Sequence, residues 1–237
     1  MNKIIIRQPA GIGDIFFTQK IAYYLHNYYK LDIIWPVIPE FYWIKDYIKV
    51  PFIEFVSIES EFEGKNALSN DVPYIFEYDN FLVVPLQRAD WVFPGSVMDA
   101  KYKMVDLEFE DWADYFSFER NIQKENELYC KILGLSDDSK YCLVSKNYGS
   151  PPKFETIDIR YHGDLDVINL SFINNITLID WCKVIENASE IHTMDSSINF
   201  IIDKLNLKTN NLSLYLKPGG QTAKHLFKTK FNKIYEN

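Results

Sequence analysis

The chain has 237 residues, a formal net charge of −8 and a pI of about 5.1. That balance excludes a protein that coats nucleic acid through a basic face, though not a local basic groove. No run approaches the ~20 apolar residues of a membrane span. The 47% hydrophobic content supports a sizeable core, and most of the aromatic 16% is expected in packing. The apolar run after Lys3 is short and leads into Arg7 and Gln8, so no signal peptide is expected and the expectation is a soluble, cytoplasmic protein. Cys130, Cys142 and Cys182 are odd in number and widely spaced in apolar surroundings, which reads as reduced core thiols.

Residues 3–7 hold a short β-branched run, Ile4 to Ile6, suited to a central parallel strand. Pro9, Gly11 and Gly13 stop it. A helix is expected over 14–29, with Ile15, Phe16, Phe17, Ile21, Leu25 and Tyr28 at helical spacing. Further strands are expected at 31–37, 53–58 and 81–85, with a short helix over 39–48 opened by Pro39 and a polar loop over 59–71. Alternation of this kind implies a parallel sheet with right-handed crossovers. Residues 99–135 are rich in charged and aromatic side chains and read as the connector between two lobes, with a helix from 118 to 133 closed by Gly134.

The α/β pattern then restarts. Strands are expected at 141–145, 166–170, 190–193 and 212–216, with a turn-rich stretch at 147–152. Helices are expected at 177–188, with Thr177 as N-cap and Asp180 three residues on, at 196–205, and at 222–227. The fold class is therefore α/β with two Rossmann-like lobes, an N-terminal one over 1–135 and a second over 136–237.

Two places carry chemistry. Gly11-Ile12-Gly13-Asp14 lies between the first strand and its helix, at the edge where open α/β sheets bind ligands. It reads either as a plain strand-to-helix turn with a helix-terminal carboxylate, or as a general base beside glycines that let an acceptor or phosphate approach the backbone. Asp195-Ser196-Ser197 lies between the 190–193 strand and a helix. It reads either as ordinary capping or as an anion site built from hydroxyls, N–H groups and the helix dipole. Arg88, Lys101 and Lys103 form a basic cluster that reads either as a solvated face, the favoured reading, or as a surface that meets the acceptor or the donor phosphates.

The run Ile4-Ile5-Ile6-Arg7-Gln8-Pro9-Ala10-Gly11-Ile12-Gly13-Asp14-Ile15 resembles the opening of the ADP-heptose:lipopolysaccharide heptosyltransferases (glycosyltransferase family 9) and related GT-B glycosyltransferases. The stretch from Leu178 to Ser197 is similar to their C-terminal signature of helix, short strand, Asp-Ser/Thr-Gly and helix. Ser197 replaces the glycine, Phe200 and Ile201 occupy the region of the usual histidine, and against the two-lobed GT-B fold that the resemblance implies the second lobe is shortened. The resemblance implies a metal-independent glycosyltransferase without a cofactor, moving a sugar from a nucleotide-sugar donor to a hydroxyl acceptor. That acceptor could be a glycan, a lipid-linked saccharide, a small molecule or a modified base. Asp14 would be the catalytic base, and Gly11 and Gly13 would shape the place where acceptor and donor meet. Asp195, Ser196 and Ser197 would hold the donor pyrophosphate, assisted by Ser145 and Lys146 after the 141–145 strand. Lys146 also makes independent sense, because a departing nucleoside diphosphate needs positive charge. The rival is a non-catalytic nucleotide- or glycan-binding protein on the same fold. A Rossmann oxidoreductase fits poorly, since Phe16 stands where a third glycine belongs.

Overall fold

The computed structural model describes residues 1–150, 153–218 and 222–236. The chain divides into two compact units, Met1–Glu119 and Arg120–Asn237. The division falls before the helical stretch at 122–132 instead of after it, because that stretch is tied to the second unit's own side chains. Arg120 bonds Glu125 and Glu186, and Lys183 Nζ donates to Asn126 Oδ1 at 2.7 Å.

In the first unit a five-stranded sheet runs β3-β2-β1-β5-β4. Its strands are β1 (Lys3–Ile6), β2 (Asp32–Val37), β3 (Ile53–Ser57), β4 (Phe76–Tyr78) and β5 (Phe81–Val84). Ile4, Ile5 and Ile6 are fully buried, as the central position of β1 requires. The sheet is not wholly parallel: β4, which the sequence pattern does not reveal, pairs antiparallel with β5 at the edge. The expected helix over 14–29 is two helices, α1 (Ile12–Phe17) and α2 (Gln19–Tyr29). They break at Thr18, whose hydroxyl donates back to Asp14 O at 2.8 Å and competes with the helical ladder. Residues 39–46 wind as a 3₁₀-helix, and a second 3₁₀ turn, Lys65–Ser69, lies within the expected loop.

The stretch read as a connector packs onto this unit. Helix α3 (Val97–Lys103) is capped by Ser96, whose Oγ accepts from Asp99 N at 3.1 Å. Helix α4 (Trp112–Tyr115) comes next. Phe17 meets Tyr102 at 4.8 Å and Trp112 at 5.7 Å between ring centroids, and Phe16 stacks on Phe116 at 4.6 Å. Tyr102 Oη donates to Phe17 O at 2.7 Å. These contacts fix α3 against α1.

The second unit opens with α5 (Ile122–Asn126), which widens into a π-helical turn at Glu127–Ile132 and ends at Gly134 with φ of 65°. Its sheet is parallel throughout, in the order β12-β11-β10-β6-β9. The strands are β6 (Tyr141–Ser145), β9 (Asp166–Asn169), β10 (Glu190–Met194), β11 (Leu212–Tyr215) and β12 (Lys233–Tyr235). The stretch at 147–152 is not only turn. Strands β7 (Asn147–Ser150) and β8 (Lys153–Thr156) pair antiparallel, while Pro151 and Pro152 lie outside the described residues. Ile157, Met194 and Tyr215 form a small core, with Tyr148 and Ile159 packed against it.

Helices α6 (Cys182–Asn187) and α7 (Ile198–Ile202) are shorter than expected. Before α6, Asp180 is fully buried and accepts from both Thr177 N, at 2.7 Å, and Thr177 Oγ1, at 2.9 Å, the reach-back half of a capping box. Cys142 and Cys182 are buried, but Cys130 is exposed on the π-helical turn, against the core reading for all three. Among the described residues no helix is long and apolar enough to cross a membrane.

Candidate functional site

Each sheet has a point where the strand order reverses. In the first unit β1 has β2 on one side and β5 on the other, and in the second β6 lies between β10 and β9. Loops leaving the carboxyl ends of such strands diverge and leave a crevice, the usual ligand position in open α/β sheets. The candidate residues fall at these ends.

In the first unit, Asp14 sits in the first turn of α1, where a carboxylate complements the helix dipole. Its Oδ1 lies 3.0 Å from Lys101 Nζ. Lys101 is 1% exposed and also donates to Gln8 Oε1 at 2.8 Å and to Leu86 O at 3.3 Å. One ammonium thus donates to two oxygens and stands against a third as its counter-ion. Each comes from a different place: Gln8 from the turn after β1, Leu86 from the end of β5, Asp14 from α1. Gln8 is itself held, with its Nε2 donating to Ala10 O at 2.5 Å and its carbonyl accepting from Trp35 Nε1 at 3.2 Å.

Asp14 Oδ2 makes no hydrogen bond with the described residues, and the side chain is 24% exposed. It rests over Gly11, where a Cβ would stand 2.2 Å from Oδ2. Gly11 also has φ of 80°, a left-handed conformation open to glycine. The residue is therefore required twice, for the turn and for the carboxylate above it. Gly13 lies within α1.

The basic cluster at 88–103 is three separate arrangements and not one solvated face. Lys101 is the buried ammonium on Asp14. Arg88 Nε bonds Asp71 Oδ1 at 2.9 Å, with its guanidinium 4.1 Å from the Trp91 ring centre. Lys103 Nζ donates to Pro94 O at 2.7 Å. Arg7, which the opening motif carries, is buried and donates to the carbonyls of Leu68 and Asn70, so it braces the loop beside β5. Burial lowers its pKa from the ordinary arginine value.

In the second unit, Ser145 and Thr193 are register partners on adjacent strands, which brings Ser145, Lys146 and Asp195 to neighbouring strand ends. Ser145 is buried, and the half-buried Lys146 makes no ion pair with the described residues. Asp195 is 1% exposed. Its Oδ2 accepts from Thr222 Oγ1 at 2.7 Å and Ala223 N at 2.8 Å, so one oxygen anchors the chain after β11. Its Oδ1 is buried with no hydrogen-bond partner among the described residues.

Neither Asp195 nor Ser196 caps α7. The cap position is Ser197, without a side-chain bond, and Ser196 Oγ turns to Met194 O at 3.3 Å. The turn is held instead by Asn199, fully buried, whose Nδ2 donates to Met194 O at 2.8 Å and whose Oδ1 accepts from Thr193 Oγ1 at 2.8 Å. With five residues, α7 carries less dipole than the ten-residue helix expected from sequence. Nearby, His192 is engaged at both nitrogens, by Tyr215 Oη at 3.0 Å and Glu190 Oε1 at 2.8 Å.

Lys101 and Asn199 are the residues that sequence reasoning missed in these roles. Lys101 stands 87 positions from Asp14 in the chain, and its neighbours Tyr102 and Lys103 disguise it as part of a polar stretch.

No family model matches the chain, and no curated protein matches it in sequence. Among solved structures it is similar to a glycosyl transferase family 9 protein from Veillonella parvula DSM 2008, with a TM-score of 0.54 and 8% identity over 100% of this chain and 86% of that one. At that identity the likeness is one of fold: the chain has an α/β architecture of the glycosyl transferase family 9 type.

Proposed function

We propose that the protein is a glycosyltransferase that moves a sugar from a nucleotide-sugar donor to a hydroxyl acceptor without a metal ion. The observation that carries the reading is the divided carboxylate of Asp14. One oxygen is held by a buried ammonium and the other is unpartnered over a glycine, at a strand-order reversal in a fold of this type. Asp14 Oδ2 takes the proton of the acceptor hydroxyl. The hydroxyl oxygen bonds to the anomeric carbon as the bond from that carbon to the phosphate oxygen breaks. The nucleoside diphosphate leaves with the electron pair, its charge met by Lys146 and by hydrogen bonds from Ser145, Ser196 and Ser197. Asp195 Oδ1 supplies a buried acceptor for a donor hydroxyl. Gly11 keeps the carboxylate in place, and Gly13 lets α1 begin close to the bound acceptor.

The test has two parts. A thermal-shift panel of nucleoside diphosphates and nucleotide sugars identifies the donor by its stabilisation. With that donor, Asp14→Asn should retain binding and lose transfer by about 10²–10⁴-fold, the usual contribution of a general base. Undiminished turnover removes Asp14 from the mechanism. A donor that binds but transfers to no acceptor points to the non-catalytic reading, which the brevity of α7 and the use of Asp195 as an anchor favour.

A further inference from the structure

The 33 acidic residues of the chain are unevenly placed. From 204 to 235 there is none, while seven lysines, at 204, 208, 217, 224, 228, 230 and 233, and no arginine fall in that stretch. All of these lysines except Lys217 are exposed. The ammonium groups of Lys208, Lys224, Lys230 and Lys233 form no ion pair with the described residues. An acidic protein thus carries, from 204 to 235, a stretch in which lysines are the only formally charged side chains at neutral pH.

Part of that segment surrounds a hollow of about 520 Å³ at the amino end of β11. Asn206, Asn210, Asn232, Thr209, Thr229 and Lys230 line it. Lys204, Lys208 and Lys228 adjoin lining residues in the chain. The one carboxylate there, Asp203, is spent on the backbone, accepting from Lys228 N at 2.9 Å and Thr229 N at 2.7 Å. Burial raises its pKa from the ordinary aspartate value, against the lowering by the Lys228 and Thr229 contacts. On the adjacent edge strand, Ile234 is 39% exposed beside Lys233, while Tyr235 stacks on the buried Tyr215 at 4.4 Å between ring centroids.

We propose that this surface docks the protein on an anionic lipid bilayer, with lipid phosphates over the hollow and Ile234 at the headgroup level. The exclusive use of lysine favours this partner over nucleic acid. Bidentate readout of phosphates and bases prefers arginine, whereas lysine is a point charge suited to a diffuse anionic sheet. The contact is peripheral. It does not depend on sugar transfer, so it stands or falls apart from that function.

Each lysine close to an anionic surface is worth about 1 kcal/mol, or roughly fivefold in partition. The full chain should sediment with phosphatidylglycerol–phosphatidylcholine vesicles at low salt and not with phosphatidylcholine alone. Binding should weaken steeply as salt rises. Lys208→Gln, Lys228→Gln and Lys230→Gln together should lower partition about a hundredfold. The control triple Lys45→Gln, Lys49→Gln and Lys153→Gln should lower it far less. Thermal unfolding of both triples verifies that they fold. No partition at low salt, an equal loss in the control triple, or tighter binding to a DNA duplex than to the vesicles at the same salt would each overturn the proposal.

Discussion

Replacing Lys101 by Met removes the ammonium and keeps most of the stem. The volume is nearly conserved, so the packing term is small. The cost is electrostatic and polar. Gln8 Oε1 and Leu86 O lose their donor in a buried setting, and Asp14 Oδ1 loses its counter-charge. A buried unpaired polar group costs about 1–3 kcal/mol, and breaking a buried ion pair from one side about 3–5. Asp14 is 24% exposed and recovers part of its solvation, which brings the expected loss to about 3 kcal/mol. That is a large share of a typical domain stability of about 5–15 kcal/mol. Asp14→Asn costs less, about 1–2 kcal/mol, because an amide oxygen still accepts from Lys101. The assay is urea denaturation monitored by tryptophan fluorescence. Trp35, Trp43, Trp91 and Trp112 lie in the first unit and only Trp181 in the second, so the signal reports mainly on the unit that holds the pair. The two substitutions and their combination form a cycle, with an expected coupling of about 1–2 kcal/mol. A Lys101→Met loss below about 0.5 kcal/mol, or strict additivity, would refute the view that this pair fixes the carboxylate.

Gly11→Ala is expected to destabilise by about 1–2 kcal/mol through its positive φ and to displace Asp14 Oδ2. Activity should therefore fall far more than the melting temperature does, as read by turnover beside thermal unfolding. In the native protein a thiol reagent at pH 8 should label Cys130 alone, since Cys142 and Cys182 are buried and burial pushes the Cys142 thiol up to about 12. That direction fixes the sign of the linkage. The raised folded value makes the Cys142 contribution complete below the ordinary thiol value near 9, and it is lost as pH rises toward 12. Cys142→Ala should flatten the alkaline stability profile by up to ~1.4 kcal/mol per pH unit in that window. An unchanged slope would contradict it.

The sequence shows the sheets better than it shows the contacts that arm them. Runs such as Ile4 to Ile6 and Tyr141 to Val144 announce buried parallel strands, and all lie where the pattern puts them. Edge strands β4 and β12 are three residues each, too short for a period-two pattern to stand out. Helix lengths are overstated wherever a polar side chain bonds the backbone locally, as Thr18 does to Asp14 O and Asn199 does to Met194 O. Asp14 is legible because its glycine turn is local. Its partner is not, because the Lys101 contact depends on aromatic packing between α1 and α3 that no window of sequence contains.

The seam at Arg120 has a practical consequence. Its guanidinium is shared by Glu125, which is 1% exposed, and Glu186, and both carboxylates raise its pKa further. A fragment begun at residue 136 would strip the 120–132 cover from the second sheet. Glu186 and Asp180 would lose their cationic neighbours and Cys182 its burial. A fragment begun at Arg120 carries its own ionic clasp. The natural cut in this chain is therefore one peptide bond wide, between Glu119 and the arginine that clasps the second unit.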